Sequence, residues 1–249
     1  MDKALELACR FSYITNRLRY CGPKDAFKDF RLALEGKRYN NKKIKDELRR
    51  YEGLSVYLES IGAINSLDMF DYKVIESYWL GNDLLDSFTK NDLKKIIFKL
   101  IKKGLPKTYA SDLANRIPDG MNPSHSFNVL FVGVGRTTGA VPTNIITINK
   151  CLILDAKILK VTDRQLIVNT TPLTISKGVL KNSKSEIQYI DYIKELLPRL
   201  KVGDNIAIHW DFACKLLNNK EVGNLRKYTQ LNIDALNQAL FFSSGSMPQ

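Results

Sequence analysis

Histidine is scarce in this 249-residue chain, which has two, and cysteine is sparse, with four. Cys9, Cys21, Cys151 and Cys214 lie far apart with no CxxC pair, which excludes a disulfide framework and a paired-cysteine zinc site. No HExxH is present, so the commonest zinc-hydrolase helix is missing, and no GxSxG marks a serine nucleophile. Gly133–Gly139 is glycine-rich but lacks the Gly-Lys-Ser/Thr ending of a phosphate loop, and a flexible hairpin loop is expected there. No apolar run approaches the roughly 18–20 residues of a membrane span. The polar start Met1-Asp2-Lys3-Ala4-Leu5-Glu6 predicts no secretory signal, so a cytoplasmic protein with reduced thiols and no membrane contact is expected.

An apolar content of 44% and a charged content of 26% are those of an ordinary globular chain. The net charge of +12 is shared evenly, +6 in residues 1–120 and +6 beyond. Such a charge reads as a solvated surface rather than a nucleic-acid footprint. The densest basic stretch, Lys37 to Lys45 followed by Arg49-Arg50, is expected to be a wet helix start, with a phosphate-contacting patch as the alternative.

Helical periodicity dominates the first part. Leu5, Ala8, Cys9, Ser12 and Tyr13 form one stripe, ending at Cys21-Gly22-Pro23, and Phe27, Phe30 and Leu34 form another. A longer amphipathic stretch runs from Ile44 to Ile61, and a further group from Met69 to Trp79. Leu93, Ile96, Ile97, Leu100 and Ile101 give the clearest helix, over 90–103, with Thr89 and Asp92 as its cap. Turn formers crowd Ile117–Ser124, the expected boundary between a helical domain (1–117) and a small β-barrel domain (125–249). Beyond it, Phe127–Val134, Asn144–Leu154, Ala156–Val161, Gln165–Asn169 and Asn205–His209 read as strands. Leu225, Tyr228, Ala235, Leu236, Ala239 and Leu240 predict a C-terminal helix, with a frayed tail from Ser243. The fold class is therefore α+β.

Cys151 and His209 draw attention by the faces they occupy. In the strand expected over 151–161, Leu152, Leu154, Ala156 and Ile158 alternate toward the core, leaving Cys151 on the other side with Asp155 and Lys157. The same count puts Ile206 and Ile208 inward and His209 outward. Lys150 beside Cys151 would favour the thiolate, the form that ligates and attacks. The plainer alternative is a half-buried cysteine and an unrelated surface histidine. His125, placed in the linker loop, and Cys214, placed at the start of a helix after Asp211, could each complete a metal site, but no spacing demands it and structural roles are expected. Cys9 belongs to core packing, and Cys21 carries no assigned chemistry.

From Cys151-Leu152-Ile153, through Lys157-Ile158-Leu159-Lys160-Val161, to Val202-Gly203-Asp204-Asn205-Ile206-Ala207-Ile208-His209-Trp210-Asp211-Phe212-Ala213, residues 145–240 resemble the HypC-type chaperones of [NiFe]-hydrogenase maturation. Relative to that pattern, Cys151 is internal rather than next to the initiator methionine, and Ser176–Leu200 is an insertion. The resemblance implies an OB-like barrel with a trailing helix. It also implies that Cys151 and His209 hold an iron fragment bearing cyanide and carbon monoxide. The partners it implies are the hydrogenase large subunit or its assembly proteins.

The leading expectation is thus a non-enzymatic metallocentre-assembly or chaperone-like factor, whose helical extension the resemblance does not cover. The alternative is a nucleic-acid-binding OB-like module with a helical extension. A thiol enzyme, with Cys151 as nucleophile, His209 as base and Asp211 as an orienter, is a third reading.

Overall fold

Helix α1 (Lys3–Arg17) begins where the Asp2 carboxylate accepts from the Ala4 amide at 3.1 Å, and it buries nearly every turn. That continuous burial places α1 between two layers, the other helices on one side and a barrel wall on the other. The computed structural model describes residues 1–37 and 39–244, the side chains of residues 240–244 excepted. Arg38 of the basic stretch, the Leu240 side chain of the C-terminal stripe and the tail 245–249 lie outside the described residues.

Helices α2 (Ala26–Leu34), α3 (Asn41–Arg49) and α5 (Tyr72–Leu80) pack on α1, while α4 (Leu54–Ile64) packs on α3 and α5, α6 (Lys90–Ile101) on α4, and α7 (Lys107–Asn115) on α6. The stretch expected to run from Ile44 to Ile61 is two helices. The break comes at Tyr51–Gly53, where Tyr51 turns inward and its hydroxyl donates to the Ser12 carbonyl at 3.0 Å. The expected cap of α6 is a capping box, with Thr89 and Asp92 satisfying each other's backbone amides. In the basic stretch, Lys37, Lys43 and Arg49 pair with Glu35, Asp29 and Asp46.

Two expected strands are helical. Residues 127–133 lie in α8 (His125–Phe127) and the π-helical turn Asn128–Gly133, with Val134 just beyond, and residues 145–151 form α9 (Ile145–Cys151). Both segments are rich in β-branched residues, but strand propensity is a weak preference that tertiary packing overrides. Phe127, Val129 and Val132 are buried in the helical core, and an apolar run buried on all sides has no period to distinguish helix from strand. For α9 the missed signal is local. The Asn144 side chain accepts from the Ile146 and Thr147 amides at 3.0 Å each, and Thr147 reaches back to the Asn144 amide.

The barrel is built from β1 (Leu154–Val161), β2 (Gln165–Thr170), β5 (Glu186–Asp191), β6 (Asn205–His209) and β7 (Phe212–Leu217). It closes in the order β1-β2-β5-β7-β6, with β5 and β7 parallel and the other pairs antiparallel. A five-stranded barrel of this Greek-key kind is OB-like. The insertion after Ser176 supplies β4 (Val179–Asn182), which pairs with β3 (Leu173–Ser176) as a separate hairpin, and also β5. Cys214 lies on β7, not on a helix. Its strand follows a two-residue turn whose residues, Trp210 and Asp211, both have positive φ (51° and 56°). Helix α10 (Asn219–Ser244) then returns across both parts of the molecule.

Ala156, Ile158, Ile206 and Ile208 fill the barrel, as the alternation predicted, together with Leu166 and Val168, while Leu152, also expected inward, precedes β1 and joins the core of the helices. The opposite wall of β6 and β7 faces α1, so Ala207, Phe212 and Cys214 join the core of the helices. The outside of the barrel is therefore the inside of the helical layer. Among the described residues, no helix is long and apolar enough to cross a membrane.

Candidate metal centre

His209 ends β6 on the wall that faces α1, and it is 1% exposed. Its Nδ1 lies 3.1 Å from the Phe11 carbonyl. A carbonyl only accepts, so Nδ1 carries the proton and Nε2 is left with a lone pair. Nε2 is buried and has no hydrogen-bond partner among the described residues. The adjacent turn fixes this placement. The Trp210 amide donates to the Lys150 carbonyl at 2.6 Å, and the Trp210 ring packs on Tyr20 with centroids 4.4 Å apart. Positive φ at a tryptophan is sterically costly, and those contacts hold it.

Cys151 is the last residue of α9 and is buried, rather than standing on the barrel surface. His209 is on the outward side of β6, as the alternation predicts, but Cys151 precedes β1 in α9, so the strand period that placed it does not apply; both are buried beneath the helices rather than in the barrel core. Lys150 does not activate the thiol. Its Nζ pairs with Asp211 at 2.6 Å, and burial pushes the Cys151 thiol up to about 12. That pairing also occupies Asp211, so no carboxylate orients His209. An activated nucleophile with a base and an orienter is not assembled here.

His125, expected in a linker, is the residue that spacing did not reveal. It is 6% exposed, at the start of α8. Its Nε2 lies 2.8 Å from the Cys151 carbonyl and 3.9 Å from the Cys151 sulfur, while its Nδ1 lies 3.0 Å from the Tyr78 hydroxyl. In this state Nε2–H donates to the carbonyl and the Tyr78 hydroxyl donates to Nδ1. Burial lowers the His125 pKa to about 4 and depresses that of His209 as well, so both rings are neutral near pH 7.

One ligand atom from each of His125, Cys151 and His209 lies within 4.8 Å of the others, and the two imidazole planes meet at 79°. The three residues line a cavity of about 50 Å³ that Trp79, Trp210 and Cys21 also line. The Trp79 indole N–H is buried with no acceptor among the described residues, and the Trp210 indole N–H is directed at the Cys151 sulfur without full hydrogen-bond geometry. One wall is the glycine-rich segment, a compact turn between the π-helical turn and α9 rather than a hairpin. Gly135 there has φ of +73°, and a Cβ on it would strike the Val141 carbonyl.

The remaining thiols stay outside the cluster. Cys9 is core packing, fully buried, and Cys214 is turned toward its own strand's Phe212 carbonyl. The aromatics offer little to a nucleic acid. Among the described residues, Phe98 and Tyr189 are the ones that stand well into solvent, on separate parts of the fold.

Residues 2–243 match a family described as a family of unknown function (DUF6390), and the chain belongs to it. No curated protein and no solved structure matches the chain.

Proposed function

From that membership, which brings no activity with it, we propose that the chain is a non-enzymatic metallocentre-assembly factor. It holds iron, or an iron fragment bearing cyanide and carbon monoxide, on Cys151 and His209. The observation that carries this reading is the convergence of the Cys151 sulfur and a His209 ring nitrogen within 4.8 Å, from α9 and β6. Two protein ligands of one ion, each bonded at about 2.0–2.3 Å, lie no more than roughly 4.6 Å apart, so the pair draws slightly closer as the ion binds. The OB-like barrel and the resemblance of residues 145–240 to HypC-type chaperones point the same way.

The chemistry suits a carrier. Thiolate is a soft donor matched to low-spin iron, and the Phe11 carbonyl fixes the tautomer that presents His209 Nε2. In the empty state the thiol keeps its proton, which protects it from oxidation. An arriving cation reverses that preference and expels the proton. The cavity, of about 50 Å³, has room for an ion with only a few water-sized ligands. A cargo with several diatomic ligands therefore requires the Gly133–Gly139 segment to yield during loading. The protein acts in the cytoplasm, and its partners are the hydrogenase large subunit or other assembly proteins.

The test is to isolate the tagged chain, without oxygen, from cells making a [NiFe] hydrogenase. Iron content, infrared bands of bound cyanide and carbonyl, and co-purifying proteins are then compared with Cys151→Ser. The wild type is expected to retain iron with those bands and to capture assembly proteins, and Cys151→Ser to lose the iron and the bands. Iron and partner capture unchanged by the substitution contradict the proposal.

A further inference from the structure

We infer that His125 is a third ligand of this centre. It would make a site of two imidazoles and one thiolate for a borderline-soft divalent transition ion such as zinc, cobalt or ferrous iron, with a fourth position open to the cavity. The inference rests on the preceding reading only for the position of the ion, not for a cargo role or a protein partner.

Three independent features support it. First, the separations are close to those of a bound site. Tetrahedral bonds of about 2.0–2.3 Å place ligand atoms roughly 3.3–3.6 Å apart. Here the His125 Nε2 to Cys151 Sγ distance is 3.9 Å and no ligand pair exceeds 4.8 Å. Closing that gap takes roughly an ångström of movement between the ligand atoms.

Second, each imidazole already has a hydrogen-bond partner on its far nitrogen, as metal-bound histidines do. For His209 that partner is the Phe11 carbonyl, and the Nε2 it leaves free is a buried, unpartnered acceptor. An unsatisfied atom of this kind is uncommon in a folded core and calls for an occupant. For His125 the partner is the Tyr78 hydroxyl. Ligation needs a change of tautomer: the Nε2 proton leaves the Cys151 carbonyl, Nδ1 takes up a proton, and the Tyr78 oxygen accepts from it. The ring stays neutral throughout. The one proton released to solvent on binding comes from the Cys151 thiol, so an M²⁺ ion and a thiol become an M–S bond and H⁺.

Third, the open position has a waiting partner. The Trp79 indole N–H, on the cavity lining, lacks an acceptor among the described residues, while the Trp210 indole N–H is directed at the Cys151 sulfur, where it favours a thiolate. Water or a small anion at the fourth position would be an acceptor for the Trp79 N–H. The donor set sets the metal class, because imidazole and thiolate discriminate against magnesium and calcium, which require oxygen ligands.

The histidine count makes the test direct. With only His125 and His209 in the chain, ring ¹⁵N spectra of the unmodified protein show two imidazoles. Adding zinc(II) is expected to shift one ring nitrogen of both histidines, and magnesium to shift neither. Cobalt(II) is expected to give a thiolate charge-transfer band, absent in Cys151→Ser, with the visible spectrum of a four-coordinate ion. Tyr78→Phe keeps the ring and the packing but removes the group that holds His125, and zinc affinity is expected to fall roughly tenfold. A merely structural His125 would leave that affinity unchanged. If zinc moves His209 alone, and Tyr78→Phe binds as tightly as wild type, His125 is no ligand and the two-residue centre stands without it. If zinc moves neither ring, the three-ligand site is wrong. Iron carriage is decided separately by the isolated complex.

Discussion

Two neutral imidazoles and one protonated thiol sit together in a core that excludes water, and their titration is a property of that burial. His125 is held at about 4, against about 6.5 for an unperturbed histidine. The depressed pKa means that the unfolded chain binds more protons than the native one between these values. Its stabilising contribution is therefore complete above about pH 6.5 and is lost as pH falls toward 4. From pH 7 to 4.5 this one ring removes about 2–3 kcal/mol of stability, and His209, shifted the same way, adds to the loss. Urea unfolding at the two pH values measures it. His125→Gln is expected to shrink the pH-dependent loss by about that amount, whatever its effect at pH 7, and an unchanged pH dependence would mean that the ring is not buried as described. Lys150 carries a related lesson. Adjacent in sequence to Cys151, it pairs with Asp211 across the β6–β7 turn, so its charge does not reach the thiol as an activator.

At the scale of elements, the site depends on a buried polar clasp between α10 and the segment that carries His125. The Asn232 side chain accepts from the Asn122 amide at 2.9 Å and donates to the Asn122 carbonyl and to the Ser126 hydroxyl. Asn232→Ala leaves several of these groups unsatisfied inside the core and is expected to cost about 3 kcal/mol, by chemical denaturation. Because the clasp flanks His125, the same change is also expected to weaken zinc binding. Thr89→Ala in the capping box of α6 is the comparison. It should cost about 1 kcal/mol and leave zinc affinity untouched. Equal effects of both substitutions on binding would remove any special role for the clasp. The helices with a single apolar stripe, α2, α6 and α10, were legible in the sequence because one face is wet and the period shows. Residues 127–134 and 145–151 were not, since they lie against the core or begin with a cap that short-range pattern obscures. Strand β7 was missed because its turn uses Trp-Asp, where the usual signal for two positive-φ residues is Asn-Gly.

Over the whole molecule, the barrel and the helices share one wall, and the centre lies in that wall. Sequence alternation placed His209 outside the barrel core, where it is, whereas Cys151 lies in α9 and was placed by a strand that begins three residues later. It could not say that α1 would cover that face, because a period of two reports which side a residue is on and not what packs there. His125 was invisible for a related reason. A lone histidine among Pro123, Ser124 and Ser126 has no spacing to any partner, and only the tertiary fold brings it beside residues 26 and 84 positions away. The molecule is two layers joined at a buried set of donors, His125, Cys151 and His209, where the proposed ion would sit. The most direct test is X-ray absorption at the iron edge of protein loaded with ferrous iron under exclusion of oxygen. One sulfur scatterer at about 2.3 Å together with nitrogen scatterers at about 2.0–2.1 Å, the sulfur vanishing in Cys151→Ser, is the predicted result. A shell of light atoms alone, identical in wild type and Cys151→Ser, would contradict it.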